Sequence, residues 1–349
     1  MQDPHRRIGL PVFFVLLPRF METDVADDGH LPSVLDKKKY AGVIKEQSQP
    51  NDWISLITIV LQWVIIGGAI TIGVISSNWA IKILMMIIIA TRQHVLLVLM
   101  HEAVHFRLHK SKPLNDWVSQ FFLSFPLGVS TRAYRNFHFA HHRYGYTDKD
   151  PQMEAMHRDE DFLWPKMVLQ SWVVFFKDIF GINIPKMGKV FFDFLPAQHG
   201  GPFGPDSKSE SFLFLVFVIA VLGICWATGH LPTLLLFWYI PSLTFLTAIF
   251  RVRSIAEHEC TEQEHELNKT RCVVPNFGER FLISPCGIKY HIEHHMFPSV
   301  PWFRLKSLHE TLMKDPVFAE RAHITRGYLY GKNSLLKEIT SRPEPVSSV

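Results

Sequence analysis

Four long apolar runs constrain this chain more than any other feature of it. A helix needs about 20 consecutive apolar residues to cross a bilayer. Runs of that kind occupy about residues 53–75, 80–100, 212–228 and 233–250. Ser76-Ser77-Asn78 separates the first two, and Gly229-His230-Leu231-Pro232 separates the last two. The spans must be helical, because lipid offers no partner to an open backbone group. The composition agrees: 48% of the residues are hydrophobic, and 28 are Phe, more than a soluble enzyme usually carries. The expected fold is an all-α membrane protein. Its four transmembrane helices form two hairpins, with a helical cap built from the polar stretches.

Charge sets the orientation. Of 36 Lys and Arg, seven precede the first run, 13 fall between residues 101 and 210, and 14 lie from Arg251 onward. The two hairpin turns carry none. The positive-inside rule therefore puts both termini and the central stretch in the cytoplasm. A bacterial inner membrane and the endoplasmic reticulum both fit. A membrane domain is expected over residues 53–315. Residues 1–52 read as an N-terminal cytoplasmic or interfacial segment, and 316–349 as a C-terminal cytoplasmic tail. Arg6-Arg7 and LPVFFVLL lack the length and cleavage site of a signal peptide, so they read as a segment lying on the membrane surface. The final RPEPVSSV reads as disordered. The aromatic run 162–182 is broken by Lys166, Lys177 and Asp178, which predicts an interfacial helix rather than a fifth span. Cys225, Cys260, Cys272 and Cys286 form no C-x-x-C pair. They make neither a disulfide framework nor zinc-finger spacing, and suit a reducing compartment.

The 19 histidines are clustered. HEAVH spans residues 101–105, HFAHH 138–142 and HIEHH 291–295, and His258 follows the fourth run. An H-x-x-H-H pattern is expected by chance about 0.06 times in a chain of this composition, and it occurs twice. HEAVH alone fits a zinc protease, with His101 and His105 as ligands and Glu102 as base. The other clusters argue against it. A hydrolytic zinc takes three protein ligands and a water. His101, His105, His138, His141, His142, His258, His291, His294 and His295 are all expected on one side of the membrane. Nine imidazoles are too many for one metal and suit two, with four or five nitrogens each. Imidazole binds iron, copper, nickel and zinc alike, so ligand type alone does not choose. Second-sphere support is expected from Glu102, Glu257 and Glu293 beside the clusters, and from Asp148 or Asp150 after the second. His109, one turn past His105, is expected beside the metals or at the surface. Arg92 and His94 lie inside the second run, where a polar group is costly and implies a partner or a function.

H-x-x-x-H followed by two H-x-x-H-H boxes, interleaved with two membrane hairpins, resembles the membrane-bound fatty acid desaturase and hydroxylase superfamily. HIEHHMFPSVPWFRL is especially similar to that family's third box. The resemblance covers roughly residues 50–315. It implies a non-haem di-iron centre, O2 as co-substrate, a long-chain lipid or acyl substrate and two electrons from a separate donor. It makes His101 and His105 the first box. His138, His141 and His142 are the second, His291, His294 and His295 the third, and His258 the ninth ligand. Acyl-CoA desaturases have four residues between the first-box histidines and an Asn four positions before the ninth ligand. Here there are three residues, and that position is Ser254, which favours an acyl-lipid or carrier-bound substrate. Front-end desaturases begin their third box with Gln and carry a fused cytochrome b5 domain with an HPGG motif. No HPGG occurs here, so the donor is expected to be a separate ferredoxin-like or cytochrome b5-like protein. Similar boxes occur in carotenoid ketolases and hydroxylases and in alkyl hydroxylases, so hydroxylation or ketolation of a lipid, carotenoid or alkane is the alternative chemistry. No nucleic-acid partner is expected.

Overall fold

The computed structural model describes residues 31–147, 149–186 and 208–340. The N-terminal apolar run at 10–17, the tail at 342–349 and Asp148 lie outside these. The described chain is mostly helical, with two strands of three residues. Four helices are long and apolar enough to cross a membrane: Asp52–Ile75, Trp79–Val104, Ser209–Ala227 and Leu231–His258.

Helix α1 (Asp52–Ile75) starts at Asn51, whose side chain accepts the N–H groups of Trp53 and Ile54. Helix α2 (Trp79–Val104) starts at Asn78, which accepts from Ala80. Each Asn satisfies amides that a helix start leaves unpaired. The link between the helices is thereby cut to three residues, and the two pack on one another. Further on, α3 covers Thr131–Tyr144, α4 Val168–Ile179 and α5 Lys208–Ala227. Gly229, at φ 73°, adopts the left-handed turn that ends a helix. Two-thirds of the most apolar stretch of α2 (67%) is buried inside the protein, against 6% for the third span. The second span is thus the central pillar. The third rests mainly against lipid, which leaves apolar surface in no need of a protein partner.

The fourth span is interrupted. A π-helical turn covers Leu235–Tyr239, a short helix covers Ile240–Leu243, and α6 (Phe245–His258) follows. Pro241 has no N–H to return to the preceding turn, and the π turn beside it absorbs the mismatch. Both α2 and α6 outrun the apolar stretches that announced them, by four and eight residues. The reason is burial: His101, Glu102, Arg253, Glu257 and His258 are packed inside protein, so polarity there does not end the helix. Trp53, Trp79 and Trp226 stand exposed at the span ends, as aromatic residues do at membrane surfaces.

After α6 come β1 (Cys272–Val274), α7 (Phe277–Leu282), α8 (His291–Met296), α9 (Leu305–Leu312) and β2 (Ile324–Arg326), and β1 pairs with β2 in parallel. Helix α4 begins only after Pro165, later than the aromatic run. Leu169, Trp172, Val173 and Phe176 stay exposed on it, the apolar face an interfacial helix requires. Asp178 turns inward to Arg251 of α6. The Arg251 Nη2 donates to Asp178 Oδ1 at 3.0 Å, and its Nε donates to the other oxygen. Both side chains are fully buried. Asp178→Ala would strand the Arg251 charge and is expected to cost about 3–5 kcal/mol. Lys177→Ala breaks a partly exposed pair with Asp161 and should cost about 1 kcal/mol or less. Thermal unfolding in detergent measures both, and equal shifts would contradict the assignment.

Candidate metal centre

Four helices deliver the histidines. The end of α2 carries His101 in its last turn, and His105 caps it. Helix α3, capped by the Ser130 hydroxyl accepting the Ala133 N–H, carries His138, His141 and His142. Helix α8 carries His291, His294 and His295, and α6 ends on His258. Residues three and four apart share a helix face, so each helix aims its imidazoles one way.

The nine fall into two adjoining groups. His101, His105, His138, His142 and His294 have one ring nitrogen each within 4.8 Å of all the others. The His138 Nε2 is 2.9 Å from those of His101 and His142, and the His142 Nε2 is 3.2 Å from that of His294. His141, His258 and His295 make the second group. His291 joins it, its Nε2 lying 3.2 Å from His258 and 3.0 Å from His295. The His142 and His295 rings stack at 4.4 Å where the groups meet.

These distances test whether the residues fit metals. Nitrogens about 2.1 Å from one ion, at right angles, lie roughly 3.0 Å apart. The His105 and His141 Nε2 atoms are buried without a hydrogen-bond partner, a costly state that a bound cation relieves. Protonation is disfavoured as well. Burial holds the His105 imidazole down to about 3, with the Arg107 and Arg135 cations adding to it. Burial and neighbouring imidazoles push His138, His142, His291, His294 and His295 well below their ordinary value. Neutral imidazoles are the ligand form. The donor set fits two cations.

Asp150, Glu102 and Glu257 stand behind the rings. His141 Nδ1 lies 3.0 Å from both oxygens of the buried Asp150. That contact orients the ring and leaves its Nε2 facing the cluster. Asp150 also accepts the N–H groups of Gln152 and Met153, capping the next helix. Asp148, the other candidate, is outside the described residues. Glu102 takes the Trp302 N–H at 2.9 Å and stands 3.9 Å from His101 Nδ1, the ring nitrogen turned from the cluster. Glu257 is 3.8 Å from His291 Nδ1 and accepts from Arg253 Nε at 2.7 Å. Glu293 faces away from the cluster imidazoles, accepting the Cys272 thiol at 2.8 Å and pairing with His309 of α9. His109 likewise sits apart, accepting the Ser111 N–H and facing Asp52. Arg92 reaches Gln62 of α1 and the Phe281 carbonyl. His94 is buried with both ring nitrogens unpartnered.

Sequence reasoning missed Tyr146. Its hydroxyl lies 2.8 Å from His258 Nδ1, and its N–H donates to Asp150 Oδ2 at 3.1 Å. Burial, with Asp150 and Glu259, pushes the phenol well up, so it stays protonated. Its φ of 69° is strained for a residue with a side chain. No spacing rule marks such a turn. A large apolar cavity of about 900 Å³ lies between α1, residues 118–126 and the second hairpin, and none of the nine histidines lines it.

Residues 77–327 match the family described as "Fatty acid desaturase", a stretch holding all nine histidines. A dihydrorhizobitoxine desaturase of Bradyrhizobium elkanii is 26% identical over 284 residues, which is 78% of this chain and 79% of that protein.

The depressed imidazoles give the metal-free protein a pH signature. The unfolded chain takes up protons near pH 6.5, but the folded centre resists them. Stability is therefore full above pH 6.5 and lost as pH falls toward 3, the value of His105. His157, held up by Glu259, and His323, held up by Glu262 against its burial, act in the opposite sense, two against six. The melting temperature of chelator-stripped protein is expected to fall by several degrees between pH 7 and 5. A flat or rising profile would contradict it.

Proposed function

The chain belongs to the fatty acid desaturase family, and from that premise we propose that it is an O2-dependent di-iron membrane desaturase. It introduces a double bond into a long acyl chain carried by a lipid or another carrier. The observation that carries this reading is the division of nine imidazoles, seven buried and two half-buried, into a group of five and a group of four. His101, His105, His138, His142 and His294 hold one iron, and His141, His258, His291 and His295 hold the other. Bound there, the irons supply the O2-driven oxidation of an unactivated C–H bond that side chains cannot perform, with two electrons from a separate donor.

The protein's own residues do the rest. Asp150 and the Tyr146 hydroxyl fix the rings of His141 and His258 so that each presents Nε2. Glu102 and Glu257 stand as acceptors behind His101 and His291. The α2 and α6 ends place the centre at the mouth of the membrane bundle, where a chain dissolved in lipid reaches it without crossing water. The basic residues beside the boxes favour a cytoplasmic centre, served by a ferredoxin-like or cytochrome b5-like donor. A zinc protease needs Glu102 on the metal side of the ligands, and here it stands behind His101. The named relative is a desaturase, which favours double-bond formation over hydroxylation.

Lipid profiling of a host expressing the wild type, His142→Ala or His291→Ala tests this. The wild type should add an unsaturated species two mass units lighter than its precursor, and both variants should lose it by at least a hundredfold. Full activity in both variants would refute the shared centre. A product sixteen units heavier would replace desaturation with hydroxylation.

A further inference from the structure

A second polar pocket lies outside the histidine cluster. It has a volume of about 320 Å³ and is lined by Arg92 of α2, Arg280 of α7, Lys289 and Lys306, beside Tyr290 and Trp302. Four cations meet there, and no Asp or Glu is among the lining residues. Arg92 spends its donors on Thr91, Gln62 and a carbonyl, all uncharged. Lys289 lies over the Tyr290 ring at 4.8 Å. Lys306 has Glu310, at 3.6 Å on the exposed surface, as its acidic contact. The Trp302 indole N–H is buried with no acceptor. An unneutralised cation in a membrane helix is costly and marks a ligand or a partner.

The surroundings identify the ligand's source. Phe277, Phe281 and Leu282 of α7 are exposed beside the pocket, Phe277 by 84%. Arg92 lies nine residues before His101, about 13 Å down the same helix. A cationic pocket built partly on a spanning helix, with exposed apolar side chains beside it, suits a lipid phosphate, the ligand that basic pockets between membrane helices take. Guanidinium groups and an indole N–H match phosphate oxygens.

We propose that this pocket binds the phosphodiester of a membrane phospholipid. It adjoins the histidine centre, for the Trp302 backbone N–H donates to Glu102, next to His101. A phospholipid held there lies about 13 Å of helix from His101, within the length of a long acyl chain. This narrows the lipid class of the function proposed above, on which that narrowing rests, while the binding itself stands without it.

The test uses the purified full chain in a non-ionic detergent, with lipid retention read by native mass spectrometry. Short-chain phosphatidylglycerol, the matching diacylglycerol and inorganic phosphate are titrated separately and in competition. Arg92→Gln risks the span itself, so Arg280→Gln/Lys289→Gln is the working variant. The wild type should hold phosphatidylglycerol at least tenfold tighter than diacylglycerol. Millimolar phosphate should displace it, and the double variant should bind it at least tenfold more weakly. Equal retention of the two lipids, or an unaffected variant, would overturn the site. Inorganic phosphate binding as tightly as the lipid would overturn its assignment to a headgroup. No turnover is needed, so an inactive chain that retains phosphatidylglycerol fails the proposed function alone, and an active chain that does not fails this proposal alone.

Discussion

The structure turns on ring nitrogens that face one another across about 3 Å with no room for the protons that would pair them all. Nine imidazoles in that arrangement repel or strand one another unless something positive sits between them. The surrounding architecture holds them in place. Two membrane helices run past their apolar limits to carry His101 and His258, and two shorter helices bring the boxes onto those ends. Asp150 and Tyr146 lock individual rings. A convergence of this kind needs rigid supports, and membrane spans packed on one another provide them.

The same constraint explains the distribution of charge. Polar groups near the centre are buried and paired: Arg253 with Glu257, Arg251 with Asp178, Glu293 with His309 and Cys272. Each pair fixes one element that touches the site, so the network positions helices rather than adding much stability. On the lipid-facing side the buried Glu210, in the first turn of α5, meets Arg132, Gln120 and Ser130, and the apolar stretch beyond it is different. There α5 stands almost bare of protein contact, which only an apolar solvent tolerates.

Much of this was legible in the sequence, for physical reasons. Span length and the i, i+3, i+4 spacing of the boxes are periodic signals, and periodic signals survive folding. Asp150 was expected behind the second box, and its role as a helix cap is the structure's addition. Tyr146 was not expected, because a left-handed turn leaves no period. Glu293, two residues past His291, turns to another face of its helix and meets Cys272 and His309. The ends of α2 and α6 were set too early because apolar content, rather than burial, was taken to end the helix. His258, alone in its segment, depended on the family resemblance, and the structure sets it 3.2 Å from His291.

Metal content of the purified full chain, by inductively coupled plasma mass spectrometry, tests the central claim most directly. Two irons per chain, with zinc near background, is the result the nine-imidazole centre predicts. One zinc per chain and no iron would contradict it.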